Sequence, residues 1–508
     1  MSANKTIAKN TLFLYFRMLL VMGVSLYTSR IVLRELGISD YGIYSVVGGF
    51  VALFGFLNSA MSGATQRYLT FDLGKNDLES LKKTFSTTLT IHFGIAILVL
   101  FVAETFGLWY INNKMVYPPE RSFAINVVYQ FSIVSALLSV IQVPYNALIV
   151  ARERMNIYAY VSIFEVVFKL LAVFLLVYFG NDKLIMYAVF MFIIALGIRL
   201  FYQFYCRKHY KESHYQFQWN KERYKELIQY SSWNLFGNMA VVAKGQGNNM
   251  VLNLFFGTTV NAAFGIMQLV NGAISSFIRS FQTASNPQII KQYAQGEIHS
   301  VQKLINQTAK FSYYLSLLLI APFYINIDFI LKLWLKTPPE FSAILTKIAL
   351  LCLMVDSISG PIMTAVTATG KIKTYHLFIG FLNFLNLPLS YFLLKYRIFN
   401  SPEIILYIWL VISIVSLFIR LYFLNKYMAF DVKKFILNVL FPLIFISLIC
   451  ILIGLTIIQM ITVSSFITLA CQSILYGVLM IFIIFLFGTE ASERKVFKSF
   501  SNKFFKRK

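Results

Sequence analysis

The sequence predicts an all-α integral membrane protein with about 14 transmembrane helices. Three observations predict this class: a low charged fraction, basic residues concentrated in alternate loops, and two similar halves. Of the 508 residues, 58% are hydrophobic and 13% are charged, whereas a soluble globular chain carries about 25% charged residues. This composition leaves too little polar surface to face water, so the bilayer is expected to be the solvent.

The predicted spans follow from the lengths of the apolar runs. A helix needs about 20 apolar residues to cross a hydrocarbon core about 30 Å thick. Runs of this length lie near residues 11–33, 41–66, 85–110, 122–150, 156–180, 183–206, 227–256, 259–288, 304–327, 341–369, 374–396, 402–426, 434–459 and 463–488. The first run is too long for a signal peptide and lacks a cleavage site, so we expect it to remain as the first span.

The charges of the loops predict the orientation. Lys and Arg are abundant in the N-terminal segment, in alternate loops, in the 207–226 segment and in the tail, and they are sparse in the intervening loops. Basic residues close to span ends stay on the cytoplasmic side, which predicts cytoplasmic N- and C-termini. This distribution accounts for the net charge of +24, so no nucleic-acid partner is expected.

An internal repeat relates the two halves at an offset near 220 residues. The motif YPPERS at 117–122 recurs as TPPEFS at 337–342. Downstream, a proline, a basic residue and a tyrosine keep one spacing in both halves: Pro144, Arg154 and Tyr158, then Pro361, Lys371 and Tyr375. Each half holds six spans, an even number, so the repeats are predicted to be parallel.

Two parallel six-helix repeats facing a central cavity are typical of a transporter. The predicted parts are an N-terminal six-helix lobe (1–206), a cytoplasmic linker (207–226), a C-terminal six-helix lobe (227–427), two additional transmembrane helices (428–488) and a basic cytoplasmic tail (489–508).

Ionisable residues within spans are costly and indicate functional sites. The predicted substrate-binding residues are Arg17, Arg30, Arg67, Lys244, Asn248, Asn249 and Arg279. A cavity lined by Arg and Lys favours an anion such as phosphate. The alternative is snorkelling, in which a long side chain near a helix end reaches the interface. Asp356, within the tenth predicted span, is the carboxylate that we nominate for ion coupling; the alternative is a counter-ion to a buried arginine.

Local sequence adds three expectations. Gly245 and Gly247 flank Gln246 beside Lys244, which predicts a bent or broken seventh span at the binding site; the alternative is a glycine-mediated packing face. Arg17 and Arg30 share a helix face only if the first span bends, for example at Gly23. Glu165 and Lys169, four residues apart, are predicted to neutralise each other as a structural pair.

The histidines and the four cysteines are scattered and form no metal-binding or catalytic pattern. No catalytic residue, metal or cofactor is expected, apart from a possible coupling ion, Na⁺ or H⁺.

Five long strings carry a family resemblance: NTLFLYFRMLL (10–20), LYTSRIVLRELGISDYGIYSVVGG (26–49), ATQRYLTFDLGK (64–75), PYNALIVARERM (144–155) and QTASNPQIIKQYAQG (282–296). Through them the chain resembles the Wzx-type O-antigen and capsule flippases. These form part of the polysaccharide branch of the multidrug/oligosaccharidyl-lipid/polysaccharide (MOP) exporter superfamily, which includes the MATE transporters. One departure is Phe264, which stands where close relatives often carry arginine.

The resemblance implies a flippase for undecaprenyl-diphosphate-linked oligosaccharides in the bacterial inner (plasma) membrane, working by alternating access. Its implied partners are membrane lipids and, in the pathway, a polysaccharide polymerase and glycosyltransferases. Two alternatives are a cation-coupled multidrug exporter of the same superfamily, which is expected to place carboxylates in its cavity, and a membrane polysaccharide polymerase. A polymerase needs a sizeable extramembrane segment with catalytic groups, and the longest loop, 207–226, is basic and lacks them.

Overall fold

The computed structural model describes residues 3–53, 61–62, 65–66, 68–69, 72–73, 77–152, 154–178, 182–217, 221–369, 371–489 and 494. Some helical residues in these ranges, including 3–17 and 229–238, are described as backbone only. All regular structure in these ranges is helical, which confirms the predicted all-α class.

The main helices follow one another with short connections. They are α1 (Ala3–Ala52), α2 (Leu78–Val102), α3 (Ser122–Ala151), α4 (Met155–Leu176), α5 (Lys183–His209), α6 (Lys221–Ala294), α7 (Ile298–Ile325), α8 (Ile327–Leu335), α9 (Ser342–Ala368), α10 (Ile372–Lys395), α11 (Ile404–Met428), α12 (Val432–Met460) and α13 (Phe466–Ile483). Helix α12 contains a π turn at Ile436–Leu440.

Within the described residues, ten helical segments are long and apolar enough to cross a membrane. They overlap ten of the predicted spans, namely the third, fourth, sixth and eighth to fourteenth, and the segment Val242–Gln282 also includes the second half of the predicted seventh span. The other four predicted spans lie on segments that are described only in part. The chain is therefore a multi-pass helical membrane protein, as its composition predicted.

Glycine interrupts the two longest helices at equivalent places. Gly37 divides α1 with φ 77° and ψ 171°, and Gly257 divides α6 with φ 72° and ψ −168°. This backbone region is essentially restricted to glycine. Gly257 follows Gly37 by 220 residues, the offset found between the sequence halves. The two halves therefore share a backbone turn as well as sequence motifs.

The chain forms two compact units that do not follow chain order. Unit 1 comprises Met1–Gly265, Pro339–Ser342 and His376–Ile405, and unit 2 comprises Ile266–Pro338, Ala343–Tyr375 and Leu406–Lys508. The two helices that glycine divides follow the sequence repeat, whereas the two units are defined by how the residues pack. The lobe boundaries at 206 and 427 remain a prediction.

The core of unit 1 is built where α2, α3 and α5 meet. Phe85 and Tyr145 pack edge to face at 5.2 Å, and Leu148 and Cys206 are fully buried beside them. Burial raises the free energy of any polar group here that lacks a partner. This core positions the polar residues of α5.

Ion pairs tie the connecting segments of unit 1 together. Arg121 binds the carboxylates of both Asp40 (2.5 Å) and Asp182 (2.7 Å). Lys183 binds Glu35 at 2.7 Å, and this hydrogen bond lowers the pKa of the Glu35 carboxyl below its ordinary value. The charged residues of these predicted outer loops are thereby used for structure.

Candidate functional site

The predicted site residues divide between the two units. Unit 1 holds Arg30, Lys244, Asn248 and Asn249, and unit 2 holds Arg279 and Asp356. Arg67 and the side chain of Arg17 lie outside the described residues. The predicted set is therefore considered within each unit separately.

Lys244 and Asn248 form the most deeply buried part of the candidate site. Their side chains are 7% and 0% exposed, and they lie one turn apart on the same face of α6. Neither the oxygen nor the nitrogen of the Asn248 amide has a hydrogen-bond partner in the described part of the chain. A buried amide without partners is costly, as is a lysine within a membrane span. This pair is the strongest candidate for ligand binding.

Asn249, the next residue, is committed to packing. Its Nδ2 donates to the Ser45 carbonyl oxygen at 3.0 Å. Its Oδ1 accepts from Asn261 at 2.7 Å, and Asn253 donates to Asn261 at 2.9 Å. This chain of asparagines joins the two parts of α6 to the second part of α1. The predicted role of Asn249 in binding sugar hydroxyls competes with these bonds.

The glycines beside Lys244 do not break the helix. In α6 the recorded departure from helical angles is at Gly257, and the expected interruption at Gly245–Gly247 is absent from this described backbone. A Cβ on Gly247 would approach the Leu387 side chain to 2.5 Å. The packing interpretation is therefore correct for Gly247, and the prediction of a broken seventh span is wrong.

Arg30 differs from the buried pair because it is only half-buried. Its guanidinium has no hydrogen bond or ion pair with another described residue. Helix α1 departs from helical angles at Gly37, and its described backbone shows no interruption at Gly23. Since no described residue neutralises this charge, it remains available to an anion.

In unit 2, α6 crosses α9 through small and polar side chains. Gln282 donates to the Ser357 carbonyl at 2.8 Å and to Ser312 at 3.1 Å. A Cβ on Gly360 would meet Gln282 at 2.2 Å. Four residues further along both helices, Thr364 donates to Asn286 at 2.9 Å. The two helices therefore run in the same direction here.

Arg279 and Asp356 each lie about one turn before this crossing. Arg279 is exposed and donates to the Ser275 hydroxyl at 2.9 Å. Asp356 is half-buried, and among the described residues it has no hydrogen bond or ion pair. No arginine among the described residues is paired with Asp356, and a role in ion coupling remains a prediction.

The Glu165–Lys169 pair is confirmed. Lys169 Nζ lies 2.6 Å from Glu165 Oε1 on α4. The two charges neutralise each other on one helix face, which accounts for them without a role in binding.

Arg199 was missed in the sequence interpretation. It is 7% exposed and its guanidinium stacks 4.6 Å from the ring of Tyr145. Its Nη1 has no hydrogen-bond partner within the described ranges. The available signal was a single arginine inside the apolar run of α5. Phe264, at the position where relatives often carry arginine, is fully buried.

The fold is that of a multi-pass helical membrane protein. The family described as "Polysaccharide biosynthesis protein" matches residues 7–292, and the MatE family matches residues 238–392. The chain therefore belongs to the polysaccharide biosynthesis protein family.

Solved structures have the same fold. The chain is similar to the lipid II flippase MurJ in an inward closed conformation, with TM-score 0.69 and 13% identity over 94% of this chain and 97% of that one. It is also similar to a MATE transporter in complex with MaD3S, with TM-score 0.59 and 12% identity over 82% and 96%. A third is a MOP superfamily transporter from Pyrococcus furiosus, with TM-score 0.58 and 12% identity over 83% and 96%. No curated protein matches the chain.

Proposed function

We propose that this protein is a flippase that moves undecaprenyl-diphosphate-linked polysaccharide repeat units from the inner to the outer leaflet of the bacterial inner (plasma) membrane. The family supplies the polysaccharide context, and a protein of the same fold is named a lipid II flippase. The observation that carries the proposal is the buried Lys244 beside the Asn248 amide, which has no hydrogen-bond partner among the described residues. A diphosphate supplies the anionic oxygens that such groups bind.

In this mechanism the diphosphate binds Lys244 and Arg30, while Asn248 donates to a phosphate or sugar oxygen. Arg17, Arg67 and Arg279 are the further residues proposed to bind substrate. The polyprenyl chain stays in lipid, since transferring it through a polar site costs the hydrophobic free energy of each buried CH₂. The two halves rock so that the headgroup is exposed on alternate sides.

The membrane potential assists this direction of transport. The inside-negative potential favours outward movement of an anion by about 2.3 kcal/mol per charge per 100 mV. Two phosphate charges therefore gain roughly 5 kcal/mol at 100 mV. Asp356 is the proposed site for coupling to Na⁺ or H⁺, because it lies within a candidate span and lacks a partner among the described residues.

Topology and partners complete the proposal. Both termini are cytoplasmic, as the basic loops predict. The substrate is assembled by glycosyltransferases on the cytoplasmic side and consumed by a polymerase on the other. The chain itself carries out neither reaction.

The test is a charge series at Lys244. Arg, Gln and Glu variants are reconstituted in proteoliposomes with a fluorescent undecaprenyl-diphosphate oligosaccharide, and flipping is measured by accessibility to a membrane-impermeant reagent. Arg should retain part of the activity because it keeps the charge. Gln should slow flipping by about tenfold or more, because it loses one hydrogen bond between charged groups. Glu should be worse than Gln because it repels the diphosphate.

The matched control is the same series at Lys371, which is exposed and outside the candidate site. Its variants should flip at the wild-type rate. If the Glu variant at position 244 flips as fast as the Gln variant or faster, an anion-binding role for Lys244 is refuted.

A cation-coupled multidrug exporter is the second candidate, favoured by the MatE match over 238–392. It predicts transport of cationic dyes that is abolished by Asp356→Asn and tolerant of Lys244→Glu. Dye efflux from the same proteoliposomes separates the two functions.

A further inference from the structure

A second polar site lies in unit 2 and shares no lining residue with the candidate substrate site. It is a cavity of about 350 Å³ between the beginning of α7 and the beginning of α12. Both helices are candidate membrane spans that start here, so the cavity lies at a membrane boundary. Its volume is in the range of small-molecule sites, about 300–1,000 Å³.

The cavity is cationic. Lys303 and Lys310 line it from α7, and Lys434 lines it from α12. Lys310 is 3% exposed, whereas Lys303 and Lys434 are exposed at the rim. The one acidic residue in the lining, Asp431, is 3.3 Å from Lys434 and caps α12 by accepting from the Lys434 backbone amide at 3.0 Å. Positive charge therefore exceeds negative charge in the lining.

Amide groups complete the lining beside these lysines. Asn306 belongs to it, and its Oδ1 is buried without a hydrogen-bond partner in the described part of the chain. An unpaired acceptor needs a hydroxyl or N–H donor. The cavity therefore offers cations for a phosphate and, beside them, an acceptor for a hydroxyl.

An apolar stripe leads away from the cavity along α12. Leu437, Phe441, Ile444 and Leu448 are 56%, 67%, 60% and 56% exposed. Their spacing places them on one helix face, next to the face that carries Lys434. Acyl chains lie against such a surface in a bilayer, and basic pockets between transmembrane helices bind anionic lipid headgroups.

We propose that this cavity binds the glycerol-phosphate headgroup of an anionic phospholipid. The phosphate lies among Lys303, Lys310 and Lys434, the glycerol hydroxyl donates to Asn306, and the acyl chains lie along the exposed face of α12. The loop charges predict the cytoplasmic leaflet for this site. The site is independent of the proposed transport function and remains testable if that function is wrong.

The test is native mass spectrometry of the purified full-length protein titrated with phosphatidylglycerol, phosphatidylethanolamine or glycerol 3-phosphate. Phosphatidylglycerol should bind at least about tenfold more tightly than phosphatidylethanolamine. This is the difference in affinity expected from one charge-assisted hydrogen bond. Glycerol 3-phosphate should not compete at equal concentration, because it lacks acyl chains. Equal affinity for the two lipids, or competition by glycerol 3-phosphate, would overturn the proposal.

Variants identify the site. Lys303→Gln with Lys434→Gln should weaken phosphatidylglycerol binding about tenfold or more, and Asp431→Asn should strengthen it. Lys433→Gln is the matched control, because Lys433 is exposed beside Lys434 and is not part of the lining. Lys244→Gln should also leave this binding unchanged. Wild-type affinity in the double variant places the lipid elsewhere and overturns the assignment.

Discussion

Two helix crossings show opposite uses of residues that look alike in sequence. In unit 1, α6 meets the second part of α1, and Asn249, a predicted substrate-binding residue, is consumed by hydrogen bonds to Ser45 and Asn261. In unit 2, α6 meets α9 through Gln282, which was not predicted, while Arg279 and Asp356 lie a turn away from the crossing. Polarity and depth nominated Asn249, Arg279 and Asp356 alike. The partners of each side chain separate packing from candidate function.

The largest effect is expected where a glycine of unit 1 lies closest to a backbone atom. A Cβ on Gly42 would lie 2.0 Å from the Thr258 carbonyl oxygen. This oxygen belongs to the backbone, so it can move only together with the chain around Thr258. Gly42→Ala should therefore destabilise the protein by about 1–3 kcal/mol or more. The measurement is thermal unfolding in detergent. Gly48→Ala is the control, since nothing lies within 4 Å of its Cβ position. Equal midpoints for the two variants would contradict the close approach.

The asparagine chain gives the sharpest test of the comparison. Asn261→Ala removes the donor to Asn249 Oδ1 and the acceptor for Asn253, and should cost about 1–3 kcal/mol. Asn248→Ala breaks no hydrogen bond among the described residues, so it should lower the unfolding midpoint much less while reducing flipping. If Asn248→Ala is the more destabilising of the two and flips normally, Asn248 is a packing residue and the contrast fails.

The crossing in unit 2 should respond more weakly. Gln282→Met keeps the side-chain length but loses the bonds to Ser312 and Ser357, a cost of about 1 kcal/mol. Arg279→Met removes an exposed charge and should leave the unfolding midpoint near wild type while slowing flipping. Gln282→Met should thus affect mainly stability, and Arg279→Met should affect mainly transport. Loss of stability in the Arg279 variant would show that this arginine supports the crossing.

The class and span pattern could be predicted because composition and run length act over many residues. The repeat was predictable for the same reason, and Gly37 and Gly257 now show it in the backbone. Individual roles were harder to predict. Asn248 and Asn249 are adjacent amides in one string, yet one has two partners and the other has none among the described residues. That difference depends on which face of α6 meets Ser45, and no local pattern encodes it.

The break predicted at Gly245–Gly247 failed for a physical reason. Glycine permits both a bend and a close helix approach, and the choice depends on the neighbour. Here the Leu387 side chain occupies the space beside Gly247, so the glycine serves packing. Arg199 is a single arginine in the apolar run of α5, and no local pattern shows that it stacks on Tyr145 of α3, the contact that accompanies its burial.

A smaller effect is expected from the ion pairs outside the crossings. Lys183→Met removes the hydrogen bond that lowers the Glu35 pKa, and should cost under about 1 kcal/mol at neutral pH. Because the folded-state pKa is lowered, this stabilisation is full above the ordinary value of 4.5 and is lost as the pH falls through the folded-state pKa. Unfolding midpoints of wild type and variant should therefore converge in acid. A constant difference across that range would show that Lys183 acts through packing.

The smallest effect, and the clearest case of a charge without a transport role, is the Glu165–Lys169 pair. The two side chains are 37% and 41% exposed on α4, so the pair gains only about 0.3–0.5 kcal/mol if it faces water. A single change leaves one charge unneutralised on a membrane helix, where it is unfavourable. Glu165→Gln with Lys169→Met should therefore cost less than either change alone. A double-mutant cycle on unfolding midpoints, with flipping measured in parallel, provides the test. Additive losses of stability would show that the pair is not coupled. Reduced flipping in the double variant would instead place one of these charges on the transport path and extend the candidate site to α4.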